Sequence, residues 1–173
     1  MAVHNEQDKV LILEFLRTEL MYDIKNLGYI IHDSAKKETP AEGKNIVDIA
    51  EDGNADRIQR LLDLAYAEVM RILAPYTDHE VTADAYGNDI LNEPTVYFVY
   101  ITMKHNMPGI TENLLRTYIH EFMVAYVMAE WLAMVAPDQS ALWAAKVQTL
   151  TETIKSALSA RKSITRIKLS PWG

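Results

Sequence analysis

From Asp8 to about Ala35 the apolar residues Val10, Leu11, Leu13, Phe15, Leu16, Leu20, Met21, Ile24, Leu27, Ile30 and Ile31 recur at intervals of three and four. That spacing predicts one long amphipathic helix, weakened but not ended by Gly28. Residues 36–53 are polar, contain Pro40, Gly43 and Gly53, and surround a small apolar island of Ile46, Val47 and Ile49. They predict a loop with room for one short helical turn. Asn54 or Asp56 is placed to cap a second helix, whose apolar set Ile58, Leu61, Leu62, Leu64, Ala65, Val69, Ile72 and Leu73 keeps the helical period up to Pro75.

The pattern then changes period. Residues 95–103 are nearly all β-branched or aromatic and lie between Pro94 and Asn106/Pro108, which predicts a strand. Neither Val96, Phe98, Tyr100 and Thr102 nor Tyr97, Val99, Ile101 and Met103 make a polar face, so cover is expected on both sides. The strand needs a partner. Residues 79–86, across the turn signal Tyr86-Gly87-Asn88-Asp89, offer a local hairpin, which is the favoured pairing; a strand from another subunit is the alternative.

Thr111 to Val135 carry the widest apolar stripe in the chain and predict a helix about 36 Å long, with Thr111 as its cap and Pro137 as its stop. Asp138 or Ser140 is placed to cap a last helix, on which Leu142, Trp143, Val147, Leu150, Ile154 and Leu158 form a narrower stripe. The two should pack as an antiparallel hairpin, with Trp131, Trp143 and Tyr126 in the core. Beyond Ala160 the loose alternation of Ile164, Ile167, Leu169, Pro171 and Trp172 predicts an extended arm. The expected fold is therefore mainly α: a bundle of about four helices with a small β-hairpin insertion and an extended C-terminal arm. Residues 1–160 form one domain with the β insertion near 79–104, and residues 161–173 form the basic arm.

Charge adds direction to this picture. The 173-residue chain has net charge -7, yet residues 1–93 carry 9 Lys/Arg against 19 Asp/Glu, and residues 94–173 carry 8 against 5. No acid follows Glu152, while Lys155, Arg161, Lys162, Arg166 and Lys168 crowd the last 19 residues. Such a segment suits an acidic partner. Net negative charge and the lack of a continuous basic helix face argue against sequence-specific nucleic-acid binding. No apolar run reaches membrane-spanning length, because Glu121, Glu130 and Asp138 interrupt the most apolar region, and the acids before Lys9 do not suit a signal peptide.

The chemistry is sparse. The absence of cysteine excludes thiolate ligands and Cys nucleophiles. His120-Glu121 begins a zinc-protease pattern, but Val124 stands where the second histidine belongs, and no Glu-x-x-His pair occurs. His32, beside Asp33 near a helix end, suits the helix dipole better than a metal. Neither GxGxxG, GxxxxGK[ST] nor GxSxG is present. No enzyme, cofactor or small-molecule substrate is expected. Trp172, a large aromatic on an extended basic arm, has the form of an anchor for another protein's pocket. The expected partner-binding residues are Arg161, Lys162, Arg166, Lys168 and Trp172.

Three segments, LEFLRTELMYDIKNLGYIIHD, YIHEFMVAYVMAEWLAMVAPD and SALSARKSITRIKLSPWG, together resemble the small helical head-tail connector or adaptor proteins of tailed phages and prophages, particularly those of Bacteroides-like hosts. The resemblance spans over a third of the chain. It implies a non-enzymatic virion subunit, assembled in the host cytoplasm, that forms a homo-oligomeric ring and docks on a portal or tail protein through its arm. The β segment is larger than the simplest connectors carry, which leaves room for another tail-completion role. An acidic body with a basic arm is also complementary to itself, and head-to-tail use of such surfaces closes rings. The alternative is a small intracellular ligand-binding or regulatory bundle, with His120, Glu121 and Tyr118 facing a cavity.

Overall fold

A computed structural model describes residues 9–38, 49, 52–77, 94–104 and 106–161. In chain order these form β1 (Lys9–Leu16), α1 (Arg17–Glu38), α2 (Ala55–Leu73), β2 (Val96–Met103), α3 (Thr111–Val135) and α4 (Pro137–Ser159), with single 3-10 turns at Asp52–Asn54 and Ala74–Tyr76. Among the described residues the fold is mainly helical, with four helices and one two-stranded antiparallel sheet, as the sequence pattern predicts. No helix of the described residues is long and apolar enough to cross a membrane.

The expected first helix is corrected at its start. Residues 9–16 are a strand in which Leu11, Leu13 and Phe15 are buried while Val10, Ile12, Glu14 and Leu16 are exposed. This stretch is compatible with either period when only its apolar residues are counted. The β-branched Val10 and Ile12 and the proximity of β2 decide for the strand. At Arg17 the chain turns helical while its N–H still bonds the Thr95 carbonyl at 3.0 Å, so the sheet ends where α1 begins.

The partner of β2 is corrected too. β2 pairs antiparallel with β1, from Lys9 opposite Met103 to Leu16 opposite Val96. The pairing joins segments 80 to 94 positions apart, so the local hairpin expectation does not hold; its proposed strand at 79–86 lies outside the described residues. The Arg17–Thr95 bond also sets the phase of the ladder. Because hydrogen-bonded and non-bonded pairs alternate, the pairs at Phe15, Leu13, Leu11 and Lys9 exchange the sheet's bonds. The backbone groups of Val10, Ile12, Glu14 and Leu16 then point to the open side of β1.

The inner face of the sheet, Leu11, Leu13 and Phe15 with Tyr97, Val99 and Ile101, packs on α2 and α3. α3 is the centre of the molecule: Leu115, Ile119, Phe122, Met123, Val127, Met128 and Trp131 are all buried. α4 folds back along it after Ala136 alone, forming the expected antiparallel hairpin. Only Ile154 and Leu158 of α4 are fully buried; Trp143 is half-buried, and Leu142, expected in the stripe, is 76% exposed. One position before Trp143, Leu142 is turned about 100° round the helix and past the edge of the contact with α3.

The caps also differ from expectation. Asn54 precedes α2 but makes no side-chain capping bond. Thr111 is the buried first residue of α3, after Ile110. Pro137, with its preset φ, opens α4, and Ser140 donates to the Pro137 carbonyl at 2.8 Å within the first turn.

Gly28 has a packing role that the helix pattern alone does not show. A Cβ there would overlap Ile49 Cγ2, so the glycine admits Ile49, from the apolar island at 46–49, onto the face of α1. Ile49 is buried.

Candidate interaction surface

The surface begins with the outer side of the sheet, over which no described helix packs. On β1, Val10 is 53% exposed, Ile12 49% and Leu16 42%, and Phe98 on β2 is 41%. With Leu16 opposite Val96 and Ile12 opposite Tyr100, these side chains make one apolar strip on the outer face, interrupted by the exposed Glu14. On α1, Tyr22, Tyr29 and Ile30 are exposed as well. Among the described residues the helices supply a lid for the inner face only.

The two edges of the sheet differ. On β2, the Phe98 carbonyl accepts a 2.7 Å hydrogen bond from the Tyr66 hydroxyl of α2, and Tyr66 stacks in tilted contact with Tyr97 at 5.1 Å. On β1, Arg116 Nη1 of α3 approaches the Glu14 carbonyl at 3.5 Å, at the limit of a hydrogen bond. Among the described residues no other group pairs with the backbone of Val10, Ile12 or Leu16. Among the described residues β1 therefore presents an open edge.

A partly buried polar cluster fixes the sheet to the helices beneath it. The Tyr97 hydroxyl donates to Asp63 Oδ1 at 2.8 Å, and Gln59 Nε2 bonds both Asp63 Oδ1 (2.9 Å) and the Tyr97 oxygen (3.0 Å). Arg17 Nε donates to Gln59 Oε1. Burial, reinforced by the hydrogen bond to Asp63 and its charge, holds the Tyr97 hydroxyl well above the usual tyrosine range; Gln59 and Arg17 oppose this. The cluster joins β2, α2 and the β1–α1 junction, and leaves no buried side-chain polar atom unpaired among the described residues. Tyr126 on α3 is also raised, by burial first and then by Glu130 and Glu68.

The residues of the ligand-binding alternative do not converge. His120 Nε2 pairs with Asp23 Oδ2 at 2.7 Å and, with Thr18, Glu19 and Tyr22, lines an open depression between α1 and α3. Glu121 instead accepts a 2.8 Å hydrogen bond from Lys146 of α4, whose ammonium lies 5.2 Å from the centre of the Trp143 ring. Tyr118 is half-buried against the core. Among the described residues no group of three or more acids and histidines could hold a metal ion.

Of the residues expected to bind a partner, Arg161 alone is described. It is exposed at the end of α4, and its Nη1 donates to the carbonyls of Leu158 (2.9 Å) and Ala160 (2.8 Å), satisfying groups that the helix end leaves open. It shares a small cleft with Pro75, Tyr76, Thr102 and Lys104, beside the end of β2. Lys162, Arg166, Lys168 and Trp172 lie outside the described residues. The pattern reading missed the outer face of β1, because it placed residues 9–16 on a helix; the β-branched Val10 and Ile12 were the available signal.

No known protein family matches this chain, and no similar curated protein or solved structure was found.

Proposed function

We propose that the chain is a non-enzymatic assembly subunit of a tailed phage or prophage virion, of the head-tail connector or adaptor type, which forms a ring and docks on a portal or tail protein. The observation that carries the reading is the outer face of the sheet: an apolar strip next to an open strand edge is a surface suited to being covered by protein. The opposite charges of the two halves of the chain support head-to-tail contacts between copies, and the resemblance of the three segments supplies the setting.

Light scattering on the full chain across protein concentration and salt tests the reading. A closed species of several 19.7 kDa copies, weakened by salt, is expected. A single-copy mass at every concentration, alone and with portal or tail proteins added, overturns it.

A further inference from the structure

We propose that β1 pairs antiparallel with β1 of a second copy, joining two sheets into one of four strands around a two-fold axis at Ile12. The pairing goes beyond the assembly reading above, because it closes at two copies and a ring needs a further contact.

The edge is equipped to take a strand. Among the described residues the outward backbone of Val10, Ile12 and Leu16 has no hydrogen-bond partner, and that of Glu14 meets only Arg116 at 3.5 Å. Three devices that keep sheet edges apart are proline, a bulge and an inward-pointing charge. None stands between Val10 and Leu16, where the ladder is continuous and the one charge, Glu14, lies on the exposed outer face.

The far edge of β2 does not offer the missing strand. There the Phe98 carbonyl accepts from Tyr66 of α2, and Tyr100 and Thr102 have partners of their own. Of the two described strands β1 alone keeps an open edge, so a second copy meets it with the same strand. A surface that contacts itself is two-fold, and a two-fold axis normal to the sheet sets the strands antiparallel.

Charge selects the register. Two registers keep nearly the whole strand paired with outer side chains opposite outer ones. With Leu13 on the axis, the two Glu14 side chains are diagonal neighbours, about 7–8 Å apart. With Ile12 on the axis, each Glu14 lies opposite Val10 and the Ile12 pair separates the carboxylates. In that register the outward N–H and C=O groups of Val10, Ile12 and Glu14 bond those of Glu14, Ile12 and Val10 in the second copy, replacing the marginal approach of Arg116. The contact is narrow. A standard interface buries about 800 Å² per partner, and the edge of one eight-residue strand covers less, so the pairing is reversible and concentration-dependent.

The chain has no cysteine, so an introduced thiol reports a single position. Ile12→Cys and Leu16→Cys chains are oxidised over a range of concentrations and resolved by non-reducing electrophoresis. Across the axis the two Cα atoms at position 12 stand about 5.5 Å apart, within disulfide reach, whereas those at position 16 are about 27 Å apart at 3.4 Å per residue. A linked pair from Ile12→Cys and none from Leu16→Cys is expected. Ile12→Lys and Ile12→Glu each set like charges face to face across the axis. Each alone should hold the single-copy mass of 19.7 kDa in light scattering, with the parent's circular dichroism and melting, and an equal mixture of the two should recover the two-copy species.

A Leu16→Cys chain that links as readily as Ile12→Cys, or a mixture of the Lys and Glu variants that stays single-copy, overturns the pairing. Parent rings that form without a link at position 12 also overturn it and leave the assembly reading standing. A parent that stops at two copies joined at position 12 upholds the pairing and counts against the ring. Single-copy mass at every concentration, alone and with portal or tail proteins added, overturns both proposals.

Discussion

The two faces of the β1–β2 pair carry much the same residue types and meet opposite fates. Leu13 and Val99 on the inner face are fully buried, whereas Val10 and Ile12, one position away from inward-facing neighbours, remain about half exposed. Hydrophobicity therefore does not determine burial here; the number of layers does. Four helices suffice to cover one side of a two-stranded sheet, and an isolated pair of strands depends on that cover for its stability. The other side is apolar without contributing to the core, which is why it is the part of the molecule most in need of a partner.

The largest expected effect separates the faces directly. Leu13→Ala should lower unfolding free energy by about 2–5 kcal/mol, through lost burial and the cavity left between sheet and helices, as measured by urea denaturation. A loss below about 1 kcal/mol would mean that the inner face is not packed as described.

Gly28 tests the same idea on α1, where Ile49 supplies the cover that the outer sheet face lacks. Gly28→Ala improves helix propensity by up to about 1 kcal/mol, yet forces Ile49 away from the helix. The expected net result is a destabilisation of about 1–2 kcal/mol, read from the same denaturation curves. A stabilised variant would show that Ile49 gives way freely.

Tyr97→Phe probes the polar tie between the inner face and α2. It leaves Gln59 and Asp63 without their shared hydroxyl and should cost about 1–2 kcal/mol at neutral pH. The pH dependence has a definite sign. Folding raises the hydroxyl above its ordinary value of 10.0, so the folded state keeps a proton that the unfolded state releases. The parent's stability is therefore fully present below pH 10 and falls as pH rises beyond it, with this group contributing up to about 1.4 kcal/mol per pH unit. The phenylalanine variant lacks that slope, so denaturation curves for the two chains should draw together above pH 10.

The smallest effect belongs to the outer face. Ile12→Thr keeps β-branching and removes apolar surface already in water, so subunit stability should stay within about 0.5 kcal/mol of the parent. Assembly measured by light scattering should weaken all the same. A destabilisation like that of Leu13→Ala would mean that the two faces are equivalent in the free subunit.

The helical framework was legible because each helix after the first repeats its apolar residues over more than about four turns. Thr111 to Val135 agrees with α3 residue for residue, since a wide stripe followed by Ala-Pro leaves no choice of end. The first strand was not legible by that method. A run as apolar as Val10 to Leu16 fits three-four spacing and alternation equally well, and the deciding contact with β2 lies 80 or more positions away. The same distance hid the partner of β2. For the surface, composition pointed to the arm, whereas the exposed apolar outer face of the sheet depended on recognising β1 as a strand. His120 and Glu121, neighbours in sequence, turn to different helices and serve different pairs.

The long reach between β1 and β2 also bears on how the subunit is made. β1 emerges from the ribosome before β2, and its partner is translated 80 to 94 residues later. At ordinary elongation rates of about 5–20 residues per second that is a wait of roughly 4–19 s, far longer than the microseconds in which local hairpins close. Throughout this interval a nascent strand with apolar side chains on both faces has neither its sheet partner nor α3 to lie on. Synthesis thus creates a window in which neighbouring nascent chains can pair wrongly through β1, and the rate of translation between residues 16 and 96 becomes a determinant of yield.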